Sequence, residues 1–188
     1  MTSTRLMTRA FDTLGARAIQ DQLFALYAQV YAEQLSDPFY SVGRFAERFA
    51  GHSERPGFRL ITGEVDGELV GYTYGGPLPG RTKWWQGLRG EIAPDLLTED
   101  GRRTFALNEI MVKEAWRRRG IARSLHDVLL ADRPEQRATL LVDPGNTPAR
   151  TAYFSWGWEL LGHLQPFPDA PVYDALVVEL PLSYRAAG

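Results

Sequence analysis

Apolar residues follow two different spacings in the first third of the chain, and each predicts a different element. From Ile19 to Tyr31 they recur every three or four positions, which is the pattern of one buried helix face. Leu6–Phe11 has the composition of a short strand. We therefore predict a strand followed by a helix. A second, shorter helix is predicted within Phe39–Phe49, ending before Gly51.

A hairpin and a long irregular segment come next. Phe58–Val65 and Leu69–Tyr74 favour strands, and Asp66-Gly67 between them is a strong signal for a tight antiparallel turn. Residues 75–103 contain several Gly and Pro residues and show little periodicity. We predict a long loop there, and loops of this length are usually functional or mobile.

The second half of the chain alternates strands with helices. Its predicted elements are strand Thr104–Val112, a helix opening at Ile121, strand Ala138–Val142, a helix from about Asn146 or Thr147 to Gly157, and strands Trp158–Leu161 and Val172–Leu180. The order predicts an α+β fold, a mixed sheet of six or seven strands with about four helices on its faces. The length fits a single domain over 1–188.

Composition narrows the class of function. The chain is 44% hydrophobic and 23% charged, with a net charge of -2 and a pI near 5.9. These values are typical of a soluble globule and argue against a nucleic-acid or acidic-membrane partner. The lack of cysteine excludes a cysteinyl intermediate, and the three histidines lack metal-ligand spacing, so no metal is expected. No apolar run is long enough for a membrane span, and we expect a cytoplasmic protein.

The turn Arg117–Ala122 carries the clearest chemical signal, because it links the strand Thr104–Val112 to a helix. The first N–H groups of a helix have no intrahelical partner and lie at the positive end of its dipole. Gly120 allows an anion to approach the backbone closely. The turn therefore predicts a phosphate-binding site, with an ordinary connection bearing solvated arginines as the alternative.

Two blocks of sequence resemble the GCN5-related N-acetyltransferase (GNAT) superfamily. The first is Asn108–Val112 followed by Arg117–Ala122, which is similar to the family's strand and its Gln/Arg-x-x-Gly-x-Gly/Ala turn. The second is Asn146, Ala149, Tyr153 and Gly157-Trp158, which is similar to a later helix and strand of the family. The resemblance covers about 104–160 and implies a splayed sheet that binds acetyl-CoA, with the acceptor side mainly in 1–103. Walker and Rossmann patterns do not fit, because their Gly-Lys-Ser/Thr ending and G-x-G spacing are missing.

The resemblance assigns coenzyme-binding roles to a group of residues. The amides of Arg118–Ala122, which include Gly120 and Ile121, are expected to hold the pyrophosphate. Phosphate charge would be met by one or more of the arginines Arg117, Arg118, Arg119 and Arg123. Within the strand segment Ile110, Met111 and Val112, the backbone of Ile110 and Val112 is expected to pair with the pantetheine arm. Asn146 is predicted to cap its helix and, in the family, can also bind pantetheine.

Glu109 and Tyr153 are the catalytic candidates. Glu109 shares a strand face with Phe105, Leu107 and Met111, so burial is expected to raise its pKa and suit it to act as a general base. The alternative is a glutamate that only pairs with an arginine. The resemblance implies that Tyr153 protonates the departing thiolate, and the alternative is a purely structural aromatic.

The predicted function is transfer of acetyl from acetyl-CoA directly to a primary amine, through a ternary complex. Trp84 and Trp85 are candidates for the acceptor pocket, with hydrophobic packing as the alternative. The acceptor is a small molecule or a peptide, and an aminoglycoside-type antibiotic is one alternative. A non-catalytic acyl-CoA-binding module is the other. The family often pairs through its terminal strands, so a homodimer is an expectation.

Overall fold

The computed structural model describes residues 5–183. Its contacts divide the chain into two compact units, which we call unit 1 and unit 2. Unit 1 comprises Met1–Gly76 and Leu107–Leu129, and unit 2 comprises Pro77–Ala106 and Leu130–Gly188. The single-domain interpretation of the sequence stays a prediction.

Five α-helices and seven strands make up the secondary structure of the described residues. In the first half they are β1 (Met7–Phe11), α1 (Thr13–Ala18), α2 (Gln20–Val30), α3 (Val42–Ser53), β2 (Arg59–Val65) and β3 (Glu68–Pro77). In the second half they are β4 (Thr104–Val112), α4 (Ile121–Leu130), β5 (Arg137–Val142), α5 (Thr147–Ser155), β6 (Glu159–Leu164) and β7 (Tyr173–Glu179). No helix within residues 5–183 is both long enough and apolar enough to cross a membrane.

The strands form one mixed sheet in the order β1-β2-β3-β4-β5-β7-β6. β4 and β5 are parallel, whereas β1 with β2, β2 with β3, and β7 with both β5 and β6 are antiparallel. This architecture confirms the predicted α+β class with a mixed sheet. The pairing of β4 with β5 covers only Thr104–Ala106, so Leu107–Val112 extend beyond it.

The predicted β2–β3 turn forms as the sequence indicates. Asp66 and Gly67 both adopt positive φ, 51° and 81°, which is the geometry that tight hairpin turns require. A glycine is also needed at Gly71, because a Cβ there would lie 2.6 Å from the Met111 carbonyl oxygen. Small residues therefore let β3 and β4 approach closely at this point.

An aromatic core holds α2 and α3 against the sheet within unit 1. The rings of Tyr27 and Phe45 are stacked, with centroids 3.9 Å apart and an interplanar angle of 9°. Phe49 meets Tyr74 edge to face at 5.3 Å. Such pairs stabilise a core beyond the burial of their area. The same core buries Met111 of β4, so the face of β4 that carries the odd-numbered residues is turned toward these helices.

The second predicted helix was placed incorrectly. Pro38–Tyr40 forms a separate 3-10 turn, and α3 begins only after Ser41, whose hydroxyl accepts a hydrogen bond from the Arg44 N–H. α3 then continues through Gly51 to Ser53, because burial of Phe49 and Ser53 outweighs the weak helix propensity of the glycine. The correction matters because the added turn contains His52.

Candidate active site

Glu109 lies near the end of β4, on the same strand face as Met111. The residue is partly exposed, yet its carboxylate is surrounded by protein on the side of α2 and α3. Three tyrosines of unit 1, Tyr27, Tyr72 and Tyr74, are close enough for its charge to act on them. The sequence predicted a setting among apolar groups, and the structure adds these three tyrosines to it.

Burial raises the pKa of Glu109 to about 7. Two weaker effects oppose this rise: the positive charge of Arg48, and a hydrogen bond from the backbone N–H of Ile110. Burial also raises the pKa of Tyr27 to about 12, and those of Tyr72 and Tyr74 well above the usual value. At neutral pH the tyrosines are thus neutral, while Glu109 is close to half ionised.

Arg48 of α3 is a member of this site that the sequence analysis missed. Its Nη1 donates to the Phe39 carbonyl at 3.1 Å, and its guanidinium lies 5.1 Å from the centre of the Phe39 ring. It also donates to the hydroxyl oxygen of Tyr27. The helical spacing of Phe45 and Phe49 predicts the buried face of α3, but no local signal shows that this face brings Arg48 to β4.

His52 lies one turn beyond Arg48 on α3. Burial, together with the charges of Arg55 and Arg48, lowers its pKa to about 3. Its ring centre is 6.0 Å from that of Tyr74, and its buried Nδ1 has no hydrogen-bond partner in the part of the chain described. His52 is therefore neutral at physiological pH and adds no charge beside Glu109.

The turn that leads into α4 has an unusual backbone. Arg118 and Gly120 both have positive φ, 60° and 77°, and the first helical bond runs from Ser124 N–H to the Gly120 carbonyl at 3.0 Å. The N–H groups of Arg118–Ala122 make no backbone hydrogen bond of good geometry within residues 5–183. Nothing lies within 4 Å of the position that a Gly120 Cβ would take. The turn is an open set of backbone donors, which suits an anion.

The three arginines of this turn and Arg123 in the first turn of α4 make different contacts. The Nε of Arg117 donates to the Val112 carbonyl at 3.2 Å, the Arg119 guanidinium covers the Trp116 ring at 4.8 Å, and the Arg123 Nε binds Asp127 at 3.0 Å. Arg118 is exposed and has no such contact with the described residues. The sequence could not rank the four, whereas the structure leaves Arg118 with the most freedom.

The end of β4 carries the segment Ile110–Val112. The carbonyl of Val112 is already used by Arg117, and the carbonyl of Glu109 accepts a 2.7 Å bond from the Thr73 hydroxyl. The predicted pantetheine pairing of Ile110 and Val112 stays a prediction.

Unit 2 contains the candidates that lie in α5 and at its N-terminal cap. Asn146 caps α5, since its Oδ1 accepts from the Ala149 N–H at 3.3 Å. Tyr153 is buried in α5, with ring centres of Trp156 and Trp158 at 5.5 and 6.0 Å. The proposed acid role of Tyr153 and the pantetheine contact of Asn146 stay predictions.

Trp84 and Trp85 pack in an apolar cluster of unit 2 with Leu78 and Ala106. The Trp85 Nε1 donates to Glu99 Oε1 at 3.0 Å, whereas the buried Trp84 Nε1 has no partner among the residues described. Sequence periodicity gave no reason to expect this core. In the structure both indoles pack in this cluster. Their predicted role in acceptor binding stays a prediction.

Glu99 belongs to the long segment between β3 and β4 and is buried. Its Oε1 accepts from Trp85, from the Thr104 hydroxyl at 2.8 Å and from Arg137 Nη2 at 3.1 Å. This carboxylate ties residues of the long segment to the first residue of β4 and of β5. No cluster of three or more His, Cys, Asp or Glu that could hold a metal occurs within residues 5–183.

Comparison with known proteins agrees with this fold. A ribosomal-protein-alanine N-acetyltransferase from Brucella melitensis is 20% identical, with a TM-score of 0.63 over 93% of this chain and 99% of that one. The spermidine N-acetyltransferase of Vibrio cholerae in complex with CoA and spermine is 16% identical, with a TM-score of 0.61 over 94% of this chain and 96% of that one. An aminoglycoside N-acetyltransferase in complex with CoA is 13% identical, with a TM-score of 0.55 over 81% of this chain and 87% of that one.

Sequence comparison supplies the family. A search of curated proteins finds no match. A family model described as "Acetyltransferase (GNAT) family" matches residues 20–158, which include α2, β4, the Gly120 turn and α5. The chain therefore belongs to the GNAT family of acetyltransferases and is an acyltransferase enzyme.

Proposed function

We propose that this protein is an N-acetyltransferase that moves acetyl from acetyl-CoA to a primary amine, with both substrates bound together in a single acetyltransferase domain. The observation that carries the proposal is the row of amides at Arg118–Ala122 that make no backbone hydrogen bond within residues 5–183. A helix N-terminus with free donors binds phosphate, and coenzyme A carries a pyrophosphate. Two solved N-acetyltransferases with similar folds contain CoA.

The coenzyme side of the site is formed by unit 1 residues. The amides around Gly120 would hold the pyrophosphate, and Arg118 or Arg117 would add charge at its rim. The backbone of Ile110 and Val112 would pair with the pantetheine arm. Acetyl-CoA then supplies an activated acetyl thioester.

Glu109 would act as the general base. A carboxyl group with a pKa of about 7 is matched to proton transfer at neutral pH, because it is partly ionised and still basic enough to accept a proton. Glu109 would take a proton from the acceptor ammonium, directly or through water. The amine nitrogen then bonds to the thioester carbonyl carbon, and backbone amides near Val112 would stabilise the charge that develops on its oxygen.

Tyr153 would supply the proton for the leaving group. When the carbon–sulfur bond breaks, the departing thiolate would take the Tyr153 hydroxyl proton. The nitrogen loses its second proton as the amide forms, and that proton would restore the Tyr153 hydroxyl, directly or through water. The acceptor is an amine whose wider chemistry the fold does not select, since the similar structures include enzymes for spermidine, an aminoglycoside and a ribosomal protein. A small-molecule or peptide amine is therefore proposed, with aminoglycoside-type antibiotics as one subclass.

The Gly120 turn is tested by calorimetry of acetyl-CoA binding to wild type and to Gly120→Glu. The new carboxylate would face the pyrophosphate in an open space, and we expect an affinity loss of at least about tenfold. Gly87→Glu is the matched control, because Gly87 also has a φ of 79° and no atom within 4 Å of its Cβ position.

Equal affinity in both variants would overturn the assignment of the pyrophosphate to this turn. If wild-type protein of native circular dichroism binds no acetyl-CoA, the acetyl-transfer proposal fails as a whole. Binding by wild type justifies a screen of amines that follows release of free CoA thiol.

A further inference from the structure

Glu109 has very little direct stabilisation of its negative charge. The Ile110 N–H is one donor, and no side chain within residues 5–183 donates to the carboxylate. Two of the neighbouring tyrosines donate their hydroxyl protons to other acceptors: Tyr27 donates to the Tyr40 carbonyl at 3.0 Å, and Tyr72 donates to the Leu23 carbonyl at 3.1 Å. A carboxylate in such a setting tends to stay protonated.

The Arg48 guanidinium and Glu109 lie toward the same aromatic core of unit 1: the guanidinium is 5.9 Å from the Phe45 ring centre, and the core that contains Phe45 also contains Met111, two positions from Glu109 on the same face of β4. Within residues 5–183, Arg48 is the one charged side chain that acts on Glu109. A guanidinium is protonated at every physiological pH, so it provides a constant positive potential. The groups that face Glu109 from α2 and β3 are Tyr27, Tyr72 and Tyr74, and all three are neutral at neutral pH. Nothing else on these elements offsets the burial of the carboxylate.

The position of Arg48 is fixed by several independent contacts. Its Nη1 binds the Phe39 carbonyl, and its guanidinium lies 5.1 and 5.9 Å from the ring centres of Phe39 and Phe45. The Tyr27 hydroxyl oxygen accepts a further bond from it. Planar guanidinium groups favour this combination of stacking and directed donation. These contacts hold the Arg48 guanidinium in place, and it forms no salt bridge with a carboxylate of residues 5–183.

We propose that Arg48 is a positioning residue for the acetyl-transfer reaction, whose charge, held in place by the aromatic core, favours the carboxylate form of Glu109. The inference rests on the proposed role of Glu109 as the general base. It adds a residue of α3, outside the family's coenzyme-binding blocks, to the machinery of proton transfer. In this arrangement the aromatic core and the base are linked, because Phe39, Phe45 and Tyr27 hold the arginine that controls the carboxylate.

The test is a titration of Glu109 in wild type and in Arg48→Met. Carboxyl carbon NMR of the free protein follows the group directly, without any acceptor or activity. An opposite charge nearby lowers a carboxyl pKa by about 1–3 units, so its removal should raise the Glu109 pKa by about one unit or more above 7. The acid limb of the kcat/KM profile should move to higher pH by the same amount. At pH values below the midpoint of that limb, kcat/KM of the variant should therefore be about tenfold lower than that of wild type.

Arg44→Met is the matched control. Arg44 precedes Arg48 by one helical turn, and its guanidinium also lies over the Phe39 ring, at 5.8 Å, but it does not act on Glu109. Its removal should leave the Glu109 titration unchanged. Arg48→Lys keeps the charge and should restore a limb near that of wild type. Arg48→Gln gives a second neutral variant if Arg48→Met unfolds.

The outcomes separate this inference from the proposed function. An upward shift in both the NMR titration and the rate profile supports the role of Arg48. An unchanged Glu109 titration in both neutral variants overturns it, whatever the activity does. A shifted titration with an unmoved rate profile overturns the link to the reaction and places the error in the role of Glu109 as base.

Discussion

Glu99 and Glu109 are two carboxylates that lie near aromatic rings but differ in the donors that surround them. Glu99 accepts three hydrogen bonds at one oxygen, from Trp85, Thr104 and Arg137. Glu109 accepts one hydrogen bond, from the backbone N–H of Ile110, and interacts with the positive charge of Arg48. A buried carboxylate with many fixed donors is committed to structure, whereas one with few donors remains free to exchange a proton. The number of donors, more than the depth of burial, distinguishes the two.

The largest effect is expected for Glu109→Gln on turnover. The amide keeps the shape of the side chain but cannot accept the ammonium proton, and a lost general base costs about 10²- to 10⁴-fold in kcat/KM. Steady-state kinetics with the best amine of the screen measures the loss. Calorimetry should show unchanged acetyl-CoA affinity. A variant that retains wild-type turnover would contradict the role of Glu109.

Glu99→Ala, in contrast to Glu109→Gln, should act on the free energy of unfolding. It leaves the buried Arg137 guanidinium, whose side chain is 11% exposed, without its carboxylate, and breaking such a pair costs about 3–5 kcal/mol. Urea unfolding should show this loss in the free energy of unfolding. A stability within about 1 kcal/mol of wild type would show that Glu99 is not the tie that its three bonds suggest.

The two tryptophans give the smallest and finest contrast. Trp85→Phe removes a donor to Glu99 and should cost about 1.5–3 kcal/mol, whereas Trp84→Phe removes a buried N–H that has no partner in the described chain and should stay within about 1 kcal/mol of wild type. Urea unfolding compares the pair directly. Equal losses would remove the distinction. A raised acceptor KM in Trp84→Phe alone would support its predicted place in the acceptor pocket.

Much of the fold could be predicted from local sequence signals. The bounds of β4 were predicted to the residue, because a run of strand-forming residues ends at Lys113 and the turn follows. The Asp66-Gly67 hairpin and the Asn146 cap also form as predicted, since each depends on the conformational preference or side-chain oxygen of one or two residues. The strand toward the end of the chain was less well placed: Trp158–Leu161 is in fact Glu159–Leu164.

The parts that escaped prediction depend on contacts between distant segments. The sequence places Arg48 on a helix, but only the packing of α3 on the sheet brings it near Glu109, 61 positions later in the chain. Trp85 and Glu99 lie in a segment without periodicity, so their burial has no local signal. β3 likewise continues through Gly75 and Gly76 to Pro77, since pairing with β2 and β4 overrides the loop preference of these residues.

The amides of Arg118–Ala122 that make no backbone hydrogen bond within residues 5–183 have a consequence for isotope exchange. Arg118, Arg119 and Gly120 are exposed, and exposed backbone protons without a hydrogen bond exchange for deuterium at rates close to those of an unstructured peptide. A bound phosphate would slow that uptake on one short proteolytic fragment. The turn is therefore a built-in reporter of occupancy, readable by mass spectrometry before any amine acceptor is known.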